Sequence, residues 1–136
     1  MPRDPKYDVL FEPVKIGPKT MKNRFWQVPH CNTAGTTHPG TNAKHRGVKA
    51  EGGWAVVCTE QCDIHCTSDT VNYGVRLWDD KDIPTLARMT ELVHRHDSLA
   101  GIELSHNGYQ VAPYYSREIP IAPSGRPVSG VHPFQA

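Results

Sequence analysis

Two apolar rhythms alternate along the 136-residue chain and set the expected order of its elements. Leu10 to Ile16 reads as two short extended pieces, broken at Glu12-Pro13 and closed by the turn pair Gly17-Pro18. From Asn23 to Cys31 apolar and polar side chains alternate with period two, as in a strand. Pro29 falls near that strand's end, where a missing N–H is tolerated. A Thr- and Gly-rich loop over 32–40 leads to a short helix, capped by Thr41 or Asn42, running to Glu51 and ended by Gly52-Gly53. Trp54-Ala-Val-Val-Cys-Thr-Glu60 is a near-continuous apolar run, as expected of a parallel strand covered on both faces.

A long polar connection, Cys62 to Asp80, precedes the clearest helix. Asp82 is its expected cap, Pro84 lies in the first turn, and Ile83, Leu86, Met89 (or Thr90) and Val93 recur at helical spacing. Glu91 and Arg95 stand four apart, as an ion pair on one helix face would. Ser98 to Leu104 is then a third strand, running into the turn Ser105-His-Asn-Gly108. Beyond Gly108, Pro and Ser dominate and no periodic segment follows. Strand, helix, strand, helix, strand implies an α/β fold with parallel strands. Gly-x-Gly-x-x-Gly is absent after the first strand and Gly-x4-Gly-Lys-Ser/Thr is absent throughout, so the common nucleotide fingerprints are missing. Three parallel strands would leave both sheet edges unpaired, so more sheet is expected.

Charge changes this picture little. Fifteen Lys+Arg face 14 Asp+Glu with no basic stripe, which argues against a nucleic-acid partner. The polar start, Met1 to Asp8, lacks the apolar core of a signal peptide, and no run approaches the roughly 20 apolar residues of a membrane span. A cytoplasmic location and reduced thiols are therefore expected. Twelve prolines and eleven glycines, scattered along the chain, fit a domain with many tight connections.

Cys58, Cys62 and Cys66 form Cys-x3-Cys-x3-Cys, and thiolates bind zinc and iron–sulfur clusters. The spacing is longer than usual for structural zinc, Cys58 lies in a strand, and His65 is the available fourth ligand. A small metal-binding module is thus one rival reading, and a stand-alone α/β binding module another. His38, His45, His94, His96, His106 and His132 read as surface or loop residues, with only His106 on the side of the chemistry.

Several stretches together resemble one family. They are Asp8-Val-Leu-Phe-Glu-Pro-Val-Lys-Ile-Gly-Pro-Lys-Thr-Met-Lys-Asn-Arg24, Gln27-Val-Pro-His-Cys31, Lys49-Ala-Glu-Gly-Gly-Trp54 with Thr59-Glu60, Leu77-Trp-Asp-Asp80, Leu99-Ala-Gly-Ile-Glu-Leu104 and Ile121-Ala-Pro-Ser124. In order and spacing they resemble the Old Yellow Enzyme-like FMN oxidoreductases, specifically the trimethylamine, dimethylamine and histamine dehydrogenase branch. The resemblance implies the first part, about three strands, of a (β/α)8 TIM barrel with an N-terminal hairpin. Residues 1–136 would be the N-terminal portion of the flavin-binding barrel domain, with the rest of the barrel and any further domains absent.

The resemblance also implies FMN, contacted by Val28, Pro29, His30, Cys31, Gln61 and Glu103. Cys31 matches the cysteine bonded to the flavin's benzenoid ring, and a protonated His30 beside it would favour the reactive thiolate. Glu103 falls where the wider family usually has Gln at the flavin's pyrimidine edge. Gln61 falls where trimethylamine dehydrogenases have the Tyr of an aromatic cage, which implies a secondary or primary amine as substrate. No acid–base catalyst is expected in these residues, because the family's Tyr/His/Asp constellation lies later. A 4Fe–4S cluster, an electron-transfer flavoprotein partner and a homodimer belong to the complete enzyme, and the chain alone is expected to be inactive. A flavin-dependent NAD(P)H ene-reductase is the alternative within the family.

Overall fold

The computed structural model describes residues 4–32, 34–69, 74–110 and 113–124, so His132 lies outside it. Asp4 accepts the Lys6 N–H at 3.1 Å and Pro5 takes the first helical position, and both features start helices. Pro5–Phe11 accordingly coils as a 3-10 helix, which removes Leu10 and Phe11 from the extended piece the pattern assigned them. Strands β1 (Val14–Ile16) and β2 (Lys19–Met21) then form an antiparallel hairpin, turned by Gly17 at φ +53°. Its one buried side chain, Met21, packs against Ala55, Val56 and Cys58 at the start of the main sheet.

Strand β3 is only Trp26–Gln27, far shorter than the expected Asn23–Cys31. The Asn23 side chain accepts the Phe25 N–H at 3.0 Å and donates to the Gly53 carbonyl at 2.8 Å, which commits the chain before Trp26 to a turn. Beyond Gln27 the chain leaves the sheet before Pro29. Helix α1 (Pro39–Glu51) starts earlier than expected, with His38 at the cap position in place of Thr41 or Asn42 and Pro39 in its first turn. Asn42 is therefore no cap but a buried residue inside the helix.

Strand β4 (Val56–Asp63) is the centre of a four-stranded parallel sheet. Val56 pairs with Trp26 on one edge and with Leu99 of β6 (Leu99–Ser105) on the other. Strand β5 (Val75–Arg76) takes the β3 edge further along, pairing with Cys62 and Asp63. It lies inside the connection read as strandless, and two residues are too few to show a period. Helix α2 (Ile83–His94) follows Asp82, as expected, but Asp82 does not cap it. Its carboxylate instead accepts the Trp78 and Asp79 N–H groups, and Asp79 answers it in a capping box around the 3-10 turn Asp80–Asp82. Glu91 and Arg95 form no ion pair; the Arg95 N–H closes on the Glu91 carbonyl at 3.1 Å.

Side-chain alternation divides the sheet into two walls. The helix wall carries Val57 and Ala100, packed on Ala43, Ala50, Met89, Leu92 and Val93, with Cys62, Val75 and Leu86 beyond. Gly47 lets α1 approach α2, since a Cβ there would sit 3.3 Å from that of Leu92. On the inner wall are Trp26, Val56, Cys58, Leu99 and Gly101. A Cβ on Gly101 would fall 2.6 Å from the Cys58 sulfur, which Trp26 Nε1 holds at 3.0 Å. Further along β6, Ile102 and Leu104 of the helix wall stay exposed, at 47% and 66%.

Candidate functional site

Parallel α/β sheets place their chemistry at the carboxyl ends of the strands, and here that end is irregular. The β4–β6 register jumps from Cys58↔Gly101 to Gln61↔Glu103, one extra residue on β4. Such a bulge re-aims the side chains after it. It sets Gln61 opposite Glu103, and Glu103 shares a face of β6 with Gly101, so both belong to the inner wall. Gln61 is half-buried and Glu103 exposed.

The other four expected site residues lie in the loop that leaves β3. Val28, His30 and Cys31 are exposed and Pro29 is half-buried. Cys31 is not at the strand's end, as expected, but four residues beyond Gln27. Two buried charged residues to which the sequence assigned no site role hold this loop from beneath. Arg46 of α1, fully buried, donates from Nη2 to the His30 carbonyl and from Nη1 to Gln27 Oε1 at 3.5 Å. Glu60 of β4, 1% exposed, accepts from Asn32 N at 3.1 Å, Gly35 N at 3.0 Å and Asn42 Nδ2 at 3.4 Å. Burial lowers the Arg46 pKa, and the nearby Glu60 carboxylate opposes that shift. Arg46 Nε is buried without a partner.

Polar staples join the neighbouring loops. Asp63 Oδ1 accepts from Ser68 Oγ at 3.2 Å and Asn107 Nδ2 at 3.0 Å, and Asp69 Oδ2 accepts the Tyr115 and Ser116 N–H groups at 2.6 and 2.7 Å. The Gly108 N–H donates to His106 Nδ1, so the ring proton of His106 sits on Nε2 and points to Thr67 Oγ1 at 3.1 Å. The Thr67 hydroxyl in turn donates to His65 Nδ1 at 2.8 Å. His106 thus ties the β6 loop to the β4 loop and lines a cavity of about 310 Å³ with Ile121, Ala122 and Pro123.

All four cysteines are thiols. Cys58 faces the inner wall and Cys62 the helix wall, so the Cys-x3-Cys-x3-Cys thiols diverge. Among the described residues no three His, Cys, Asp or Glu side chains come together to hold a metal. Burial raises the Cys58 pKa and pushes Cys62 up from 9.0 to about 11. A raised folded-state pKa gives stability that is complete below pH 9.0 and lost as pH climbs toward about 11. The loss should reach roughly 2–3 kcal/mol. Cys62→Ala should therefore flatten the alkaline fall in Tm over that range, and a slope equal to the parent's would contradict the assignment.

A parallel β/α sheet with its polar site at the strands' carboxyl ends has the arrangement of one part of a (β/α)8 barrel. The chain belongs to the NADH:flavin oxidoreductase / NADH oxidase family, whose profile matches residues 9–129. It is 53% identical over 126 residues to dimethylamine dehydrogenase of Hyphomicrobium sp. (strain x), covering 91% of this chain and 17% of that protein. Histamine dehydrogenase from Rhizobium sp. 4-9 superposes with a TM-score of 0.93 at 50% identity, over 98% of this chain and 21% of that one. NADPH dehydrogenase of Listeria monocytogenes serotype 4a (strain HCC23) is 30% identical over 103 residues, 73% of this chain and 30% of its own. The chain therefore spans less than a third of the length of each of these relatives. No helix among the described residues is long and apolar enough to cross a membrane.

Proposed function

We propose that this chain is the first portion of the barrel domain of a cytoplasmic, FMN-dependent amine dehydrogenase acting on a secondary or primary amine. The observation that carries the reading is the Gln61–Glu103 pair on the inner wall, at the end of the sheet where the Cys31 loop leaves β3, in a chain so similar to a dimethylamine dehydrogenase. The donor set fits a flavin. Val28 and Pro29 offer apolar surface and backbone, Gln61 an amide, Glu103 a carboxylate and Cys31 a thiol.

FMN, when bound, supplies the two-electron acceptor for amine C–H oxidation. Glu103 would hold the ring's pyrimidine edge by accepting an N–H, which would give its charge a donor rather than leaving it bare. Gln61 accepts an N–H from the amine, an interaction that a trialkylated nitrogen lacks when neutral. Cys31, exposed in the loop beyond β3, would tether the ring through its thiol.

The acid–base residues belong to the rest of the barrel, so this chain alone is inactive. In the complete enzyme, a homodimer, a 4Fe–4S cluster and an electron-transfer flavoprotein would take the electrons onward. The imine product hydrolyses to an aldehyde and a smaller amine.

Anaerobic bleaching of the complete enzyme's flavin tests the reading. Dimethylamine or histamine should reduce it faster than NADPH does. Reduction by NADPH with no response to any amine would transfer the protein to the ene-reductases, the weaker fit by similarity.

A further inference from the structure

Cys31 is flanked by two peptide units, and each is held by a different buried charge. The carbonyl of the unit joining residues 30 and 31 accepts from Arg46, and the N–H of the unit joining residues 31 and 32 donates to Glu60 at 3.1 Å. We infer that Arg46 and Glu60 are positioning residues, a two-sided clamp that fixes the backbone of Cys31 so that its sulfur is presented to the flavin ring. The inference rests on the reading that Cys31 carries the flavin.

Peptide units are rigid planes, so fixing the plane on either side of a residue fixes its φ and ψ. Only the side-chain torsion of Cys31 is then left, with three staggered positions for the sulfur. Burying a guanidinium and a carboxylate is costly, and the usual remedy is a direct pair. Here the two make no direct ion pair with each other. Each instead directs hydrogen bonds at the loop: Arg46 at His30 and Gln27, Glu60 at Asn32 and Gly35. Asn42 braces Glu60 from α1, and its Oδ1 accepts from Asn32 Nδ2 at 3.5 Å. Two secondary-structure elements, α1 and β4, thereby hold one exposed thiol.

The test compares Arg46→Lys, Arg46→Met and Glu60→Gln with the parent in the complete enzyme. Three quantities are read: Tm, total FMN bound, and the rate at which added FMN becomes attached to the polypeptide of the flavin-free protein. Misplacing a reacting group by about 1 Å costs on the order of 100-fold in rate. Glu60→Gln keeps one acceptor oxygen, and should bind FMN normally while attaching it roughly 10- to 100-fold more slowly. Arg46→Lys should recover part of the rate lost in Arg46→Met.

If Arg46→Met does not fold, the lysine and glutamine variants carry the comparison. Attachment within twofold of the parent in variants that hold FMN would overturn the clamp. So would FMN content and Tm falling in proportion to attachment, which a merely structural role produces. A parent enzyme that attaches no flavin would overturn the Cys31 reading itself, and the clamp with it.

Discussion

Gln61→Tyr in the complete enzyme is expected to turn its preference from dimethylamine toward trimethylamine by roughly one to two orders of magnitude in relative kcat/KM, which is about 1.4–2.7 kcal/mol. Gln61 sits after the β4 bulge, paired with Glu103 and half-buried on the inner wall, so a ring there would face the same space. An aromatic face attracts a trialkylammonium ion by about 0.5–2 kcal/mol depending on desolvation, and it offers no acceptor comparable to the amide for an N–H. Both changes push the same way. Unchanged relative kcat/KM for the two amines would remove Gln61 from the substrate's surroundings.

Met89→Ala should give the largest loss of stability. Met89 is 1% exposed where α2 meets α1 and the helix wall of the sheet, against Ala43, Ala50, Val57 and Val93. Truncating such a side chain costs about 2–5 kcal/mol, because the transfer free energy is lost and a cavity remains. Glu91→Ala, two residues further on and on the exposed side, should stay within about 0.5 kcal/mol. Urea titration of the two variants separates these values, and equal midpoints would mean that α2 does not bury the face assigned to it.

The parts of the fold that were legible in the sequence are those whose signal is periodic. The apolar run through Val56, Val57 and Cys58 gave the central strand, and Leu86, Met89 and Val93 gave the buried face of α2. Short pieces left no period to read: β5 is two residues inside a polar stretch, and β3 shrank to Trp26–Gln27 because Asn23 makes a turn. Some cues were present but outweighed. Asp4-Pro5 announces the first 3-10 helix, Pro39 the true start of α1, and Asp79 with Asp82 the capping box. The resemblance brought Gln61 and Glu103 forward, and the bulge that aligns them is invisible in one dimension. Arg46 was not legible, and Glu60 entered only as part of the matching Thr59-Glu60 stretch, with no role. A charged residue reads as surface until its buried hydrogen-bond partners are known, and theirs lie on the loop around Cys31.

The most direct test of the proposed function is an intact-mass measurement with a visible spectrum, made on the complete enzyme after denaturation. Flavin mass and absorbance retained on the peptide that contains Cys31 is the expected result, with both lost in Cys31→Ala. FMN released freely from the denatured parent would leave the barrel family intact and contradict the covalent amine dehydrogenase reading.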